Sequence, residues 1–134
     1  MSIISEHVNM KADCIKKLNS IRETIDQDVM DADIESQKNK LIKLTQLCGL
    51  AAEAKAQAHK ILLMKELEVM KEFQDSKISP SILSKRVNAE CYEEGALLVY
   101  ADRINSSISH SIEGLRSVLS LYKEEMRNSL IAVG

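Results

Sequence analysis

One stretch of the chain, ADRINSSISHSIEGLRS at residues 101–117, gathers the side chains best suited to chemistry or binding. Its neighbours on both sides are ordinary helix sequence, whereas this stretch is rich in serine. Serine, asparagine and glycine each disfavour a helix by roughly 0.5–1 kcal/mol relative to alanine. The unfavourable helix propensity suggests that these residues are present for packing or for binding. The candidate partner-binding residues of the stretch are Asp102, Arg103, Asn105, His110, Glu113 and Arg116.

Two interpretations of this stretch remain open. Isoleucines at positions 104, 108 and 112 share one helix face and predict a seam against another helix. On the structural interpretation, the small polar residues let a helix pack closely and their hydroxyls bond back to the preceding turn. On the functional interpretation, the charged and amide groups beside the seam contact a partner or ligand. A helix contact between subunits would satisfy both.

Metal chemistry lacks its usual patterns. A di-iron bundle needs Glu-x-x-His motifs, but Ile4, Ala56 and Ser107 stand three positions before the three histidines. His110 and Glu113 are three residues apart, and two ligands do not make a site. The acidic run DQDVMDADIE has Met30 at the third ligand position of a calcium loop and contains no glycine. We therefore expect these acids at a connection and at the start of a helix, with no metal and no cofactor.

Enzymatic motifs are also missing. Helical nucleotide pyrophosphohydrolases use a Glu-x-x-Glu pair followed by Glu-x-x-Asp, whereas here Glu72 and Asp75 precede Glu90 and Glu93. The chain contains no glycine-framed serine turn and no phosphate-binding glycine loop. The sequence predicts that the protein is not an enzyme.

Composition indicates the fold class and the cellular compartment. The 134 residues suit one domain, and the 4 glycines, 1 proline and 3% aromatics favour helices over strands. No apolar run approaches the ~20 residues that span a bilayer, and no signal peptide is recognisable at the start. Three cysteines far apart in sequence are typical of free thiols in a reducing compartment. We expect a cytoplasmic protein that does not bind membranes.

Nucleic-acid binding is the runner-up function. A net charge of −2 produces no general attraction to phosphate, and acids are interleaved with the basic residues of every predicted helix. Aromatic residues for base stacking are nearly absent. A third alternative is an oligomer that binds a small anionic ligand, using the Arg, Asn and Ser residues of 102–116.

The hydrophobic pattern predicts an all-α fold with helices at about 2–26, 33–75 and 80–131. Ser79 and Pro80 are typical of an N-cap and a first helical position. The last two long helices should form an antiparallel hairpin, with alanine-rich 51–58 opposite 95–103. The seam continues through Leu115, Leu119, Tyr122, Met126 and Leu130. One short N-terminal helix cannot cover such a hairpin, so either the hairpin bends or a second chain covers the remaining surface. We expect the second, a coiled-coil or helical-bundle homo-oligomer.

The segment YADRINSSISHSIEGLRSVLSLYKEEM resembles the C-terminal part of small helical proteins encoded by phages and prophages. The likeness covers about the last third of the chain. It implies a protein-interaction module in the host cytoplasm that binds or inhibits a phage or host complex, such as a defence system. It brings no functional residues with it.

Overall fold

The computed structural model describes residues 3–29 and 33–133, with side chains for 6–29 and 33–131. These residues form four helices and no strand: α1 at Ile3–Asp26, α2 at Ile34–Glu72, α3 at Pro80–Glu90 and α4 at Tyr92–Val133. The predicted all-α class is confirmed. In these four helices, no segment combines the length and the apolarity required to cross a membrane.

The hairpin of α2 and α4 is the frame of the molecule. Ala51, Ala54 and Ala58 have no exposed surface, so the two helices approach closely along this stretch. Lys55, which interrupts the alanine pattern, forms a 2.9 Å ion pair with Asp102. This pairing places the register within about one helical turn of the predicted one. The facing seam of α4 is buried at Leu97, Ala101, Ile104, Ile108 and Ile112.

Helix α1 packs into the hairpin through Cys14, Leu18 and Ile21, all of which are fully buried. A polar contact reinforces the packing, because Lys17 Nζ lies 3.0 Å from Asp13 and 3.2 Å from Glu53 of α2. All of these residues fall on one side of α1. Three helices therefore share one core.

The C-terminal end of α1 is capped from another helix. Lys40 Nζ of α2 donates to the carbonyls of Ile25 and Gln27, at 2.8 Å each. A cation is favourable there, because the last carbonyls of a helix lack partners and carry partial negative charge. The lysine fixes where α1 ends along the hairpin.

Two helix predictions need correction. The predicted helix at 80–131 is interrupted at Cys91, whose φ of −96° and ψ of 17° separate α3 from α4. Its N–H still bonds to the Val87 carbonyl and its carbonyl still accepts from Gly95, so the interruption lasts one residue. The predicted helix at 33–75 is three residues shorter at its end, since α2 stops at Glu72.

Capping residues mark the starts of α2 and α3. Asp33 caps α2 by accepting a 3.1 Å bond from the Ser36 N–H. This agrees with the expectation that acids lie at the start of a helix, while residues 30–32 of the acidic run lie outside the described part. Ser79 and Pro80 begin α3 as predicted, although the serine side chain makes no cap bond. Arg86 of α3 lies over the Phe73 ring, 5.8 Å from its centre.

Candidate interaction surface

The α2-facing part of the serine-rich stretch is engaged within the fold. Asn105 Nδ2 donates to the Ala51 carbonyl at 2.9 Å and to the Ala101 carbonyl at 3.0 Å. Asp102 pairs with Lys55 and remains half exposed. Two of the six predicted residues thus bridge α4 to α2, and the donors of Asn105 are directed at protein carbonyls.

The remaining predicted residues do not converge on one site. Arg103 is exposed and borders a shallow hollow that Tyr92, Val99 and Tyr100 also line. His110 and Glu113 are exposed on the outer side of α4. Only Arg116 belongs to a cleft near the free end of the hairpin.

That cleft, here called the basic groove, lies between the first turns of α2 and residues 116–126 of α4. Its volume is about 450 Å³. Aliphatic and aromatic side chains form most of its surface, and three cations stand among them. The lining residues are Ile34, Lys38, Leu41, Arg116, Leu119, Ser120, Tyr122, Lys123 and Met126.

The groove exists because α1 ends early. Lys40 holds the end of α1, and the α2 residues of the groove run from that level towards the start of α2, at Leu41, Lys38 and Ile34. Leu119 and Tyr122, which continue the seam of Ile108, are therefore only partly buried. The core of the bundle opens here to a surface that is both apolar and basic.

Residues 118–131 of α4, which run alongside the groove and past it, form what we call the distal segment. Leu121 is 59% exposed, Leu130 76% and Ile131 70%. The last turns of α4 extend past the groove residues of α2, the first of which is Ile34. Large apolar side chains exposed around one helix end are typical of a surface that another chain covers.

A second polar site was not found by sequence reasoning. At the other end of the bundle, the Glu94 side chain is only 5% exposed, and its Oε1 forms a 2.9 Å ion pair with Lys11 Nζ of α1. His7 Nε2 lies 3.7 Å from the same carboxylate oxygen. Within the described residues, Glu94 Oε2 and His7 Nε2 are buried and have no hydrogen-bond partner. Glu94 lies three residues before the buried seam residue Leu97 and seven before Ala101, which is the spacing of the seam itself, and this was the available signal.

The charges of this pair stabilise each other. Burial is the largest single influence and raises the pKa of Glu94. The hydrogen bond from Lys11, a backbone hydrogen bond and the charges of Lys11 and Lys65 together outweigh it, so the pKa lies below the usual 4.5. Burial is also the largest single influence on Lys11 and lowers its pKa. The hydrogen bonds to Glu94 and Glu93 and the charges of these two carboxylates together raise the pKa above 10.5. The pair is a buried, charged contact between α1 and α4.

The side chains of the described residues that could ligate a metal ion do not cluster. In the part of the chain that the structure describes, no three His, Cys, Asp or Glu side chains lie together in a way that could hold a metal ion. The three cysteines are free thiols. Cys14 and Cys91 are buried, while Cys48 is only partly buried.

Comparison of the chain with protein-family models, with curated proteins and with solved structures finds no match.

Proposed function

We propose that the protein is a non-enzymatic helical module that self-associates and binds another protein in the cytoplasm. The observation that carries this proposal is the distal segment, where Leu130 and Ile131 are more than two-thirds exposed. Water contact with these side chains is unfavourable by roughly 25 cal/mol per Å² of apolar surface. A second copy that packs along α4 would remove that cost.

The resemblance to phage-encoded helical proteins supports a role in binding a phage or host complex, with inhibition of a defence system as one form of it. A small all-helical protein that presents an uncovered apolar helix end is suited to such capture. The partner-facing residues then belong to the free end of the hairpin, where Arg116 lies.

Sedimentation velocity over a wide range of protein concentration tests self-association. We expect the wild-type protein to form an oligomer, and we expect Leu130→Glu with Ile131→Glu to shift it to the monomer. Asn128→Glu with Ser129→Glu is the matched control, because it adds the same two charges at neighbouring exposed positions. A wild-type protein that stays monomeric at every concentration would overturn self-association.

A second candidate function is binding of a small anion or of nucleic acid, favoured by the three cations that line the basic groove. Binding through phosphates weakens steeply as salt concentration rises. Titration with inorganic phosphate and with a labelled single-stranded RNA, at low and high salt, measures this directly. Tight, salt-sensitive RNA binding would place the protein in this second class.

A further inference from the structure

The basic groove has a charge pattern that selects its occupant. Among the residues that the structure describes, nine line the groove; three of them are the cations Lys38, Arg116 and Lys123, and none is a carboxylate. Within residues 3–29 and 33–133, neither Arg116 nor Lys123 has an ion-pair partner, and Lys38 reaches only Glu35, at 3.8 Å. The groove therefore carries positive charge that the described residues do not neutralise.

The apolar part of the groove is about as long as a short helix. Residues 116–126 of α4 span ~15 Å at 1.5 Å per residue, which matches about three turns of a bound helix. Ile34 and Leu41 on α2 face Leu119, Tyr122 and Met126 on α4 across this length. A helix placed there would extend the three-helix core in the way α1 does further along the hairpin.

From these two features we infer that the basic groove binds an acidic amphipathic helix of another protein. Its apolar face packs on the Leu119–Met126 side, and its carboxylates pair with Arg116, Lys123 and Lys38. This inference rests on the proposed function and names the chemistry of the partner. Charge complementarity of this kind sets specificity and association rate more than bulk affinity.

Three synthetic peptides test the inference by fluorescence anisotropy. The first has leucines at i, i+3, i+4 and i+7 with glutamates on both flanks. The second has lysines in place of the glutamates, and the third has the composition of the first in an order that destroys the apolar stripe. We expect the first peptide to bind at least about tenfold more tightly than either of the others, and its binding to weaken as salt rises.

Charge-reversal variants locate the site. We expect Arg116→Glu with Lys123→Glu to weaken binding of the acidic peptide by about tenfold or more, and to improve binding of the basic peptide. Lys85→Glu with Arg103→Glu is the control, because it reverses two exposed cations away from the groove. Circular dichroism of both variants checks that the helices are retained.

The remaining outcomes separate this inference from the proposed function. Equal binding of acidic and basic peptides, or equal effects of the two double variants, overturns the acidic-helix assignment. If no peptide binds while the Leu130 and Ile131 variant still dissociates the oligomer, the inference fails and self-association stands. If the Arg116 and Lys123 variant itself becomes monomeric, a second copy occupies the groove, and the assignment to another protein is wrong.

Discussion

Asn105 of α4 joins its side-chain amide to the backbone carbonyl of Ala51 in α2, at a distance of 2.9 Å. A side chain that sequence analysis assigned to a partner-facing surface thus ties the two long helices together. It does so at the level where Ala51 has no exposed surface.

Replacing Asn105 should therefore weaken the fold. Asn105→Ala removes two hydrogen bonds from a partly buried amide, and we expect the free energy of unfolding to fall by about 1–2 kcal/mol. Urea denaturation followed by circular dichroism measures the change. Ser109→Ala, one turn further along α4 and exposed, should change stability by less than about 0.5 kcal/mol. Equal effects of the two substitutions would show that the cross-helix bond contributes nothing measurable.

The alanines of α2 offer a test of close packing. Ala58 is fully buried between helices, whereas Ala56 is exposed two residues earlier. We expect Ala58→Leu to destabilise the protein by about 1–3 kcal/mol, because the helices must separate to admit the larger side chain. Ala56→Leu, measured by the same urea titration, should stay within about 0.5 kcal/mol of wild type. If both variants matched wild type, the core would be looser than the buried surface implies.

The Lys11–Glu94 pair predicts a pH dependence with a defined sign. Because the pKa of Glu94 is depressed in the folded state, the pair contributes stability above the ordinary value of 4.5, and this contribution is lost as pH falls through the folded pKa. Because the pKa of Lys11 is raised, the same contribution is lost at high pH, as pH rises through the folded pKa above 10.5. Denaturant titrations across pH should show a plateau between these limits.

Replacing Lys11 should reverse the way the Glu94 carboxylate affects stability at acidic pH. Lys11→Met leaves a buried carboxylate without its cation, and we expect a loss of about 2 kcal/mol or more at neutral pH. Protonation of Glu94 relieves this cost, so the variant should gain stability relative to wild type as pH falls. The double variant Lys11→Met, Glu94→Gln should recover part of the loss. Lys60→Met, an exposed control on α2, should follow the wild-type profile.

The cysteines differ in accessibility. Burial raises the pKa of the Cys14 and Cys91 thiols above the usual 9.0, which disfavours the reactive thiolate. Cys48 is only partly buried, and we expect it to react first with a thiol-specific reagent under native conditions. Mass spectrometry of the partly labelled protein identifies the site, and Cys48→Ser should remove the fast phase. Labelling of Cys14 at the same rate would contradict the packing of α1.

Periodicity was sufficient to predict the core of the hairpin. Residues such as Ile104 and Ile108 recur at helical spacing, and this spacing alone determines which face of a helix can be buried. Periodicity alone is not sufficient towards the end of α2, where Leu63, Leu67 and Met70 also recur at helical spacing but are about half exposed. A wide apolar stripe leaves several faces available, and only the position of the neighbouring helices selects among them.

The candidate site was less predictable than the fold. Sequence placed Asn105 and Arg116 on the same flank, but one is bonded to α2 and the other lines an open groove. The difference depends on where α1 ends relative to the hairpin. That position is fixed by a contact between residues distant in sequence, namely Lys40 with the end of α1.

Because of the Lys40 contact, the position of the end of α1 does not depend on the covalent link between α1 and α2 alone. Since a side chain of α2 holds the Ile25 and Gln27 carbonyls, the covalent link between the two helices need not position them. Each doubling of a flexible link costs only about 0.6 kcal/mol. We therefore expect the bundle to accept inserted residues after Gln27 without moving the end of α1.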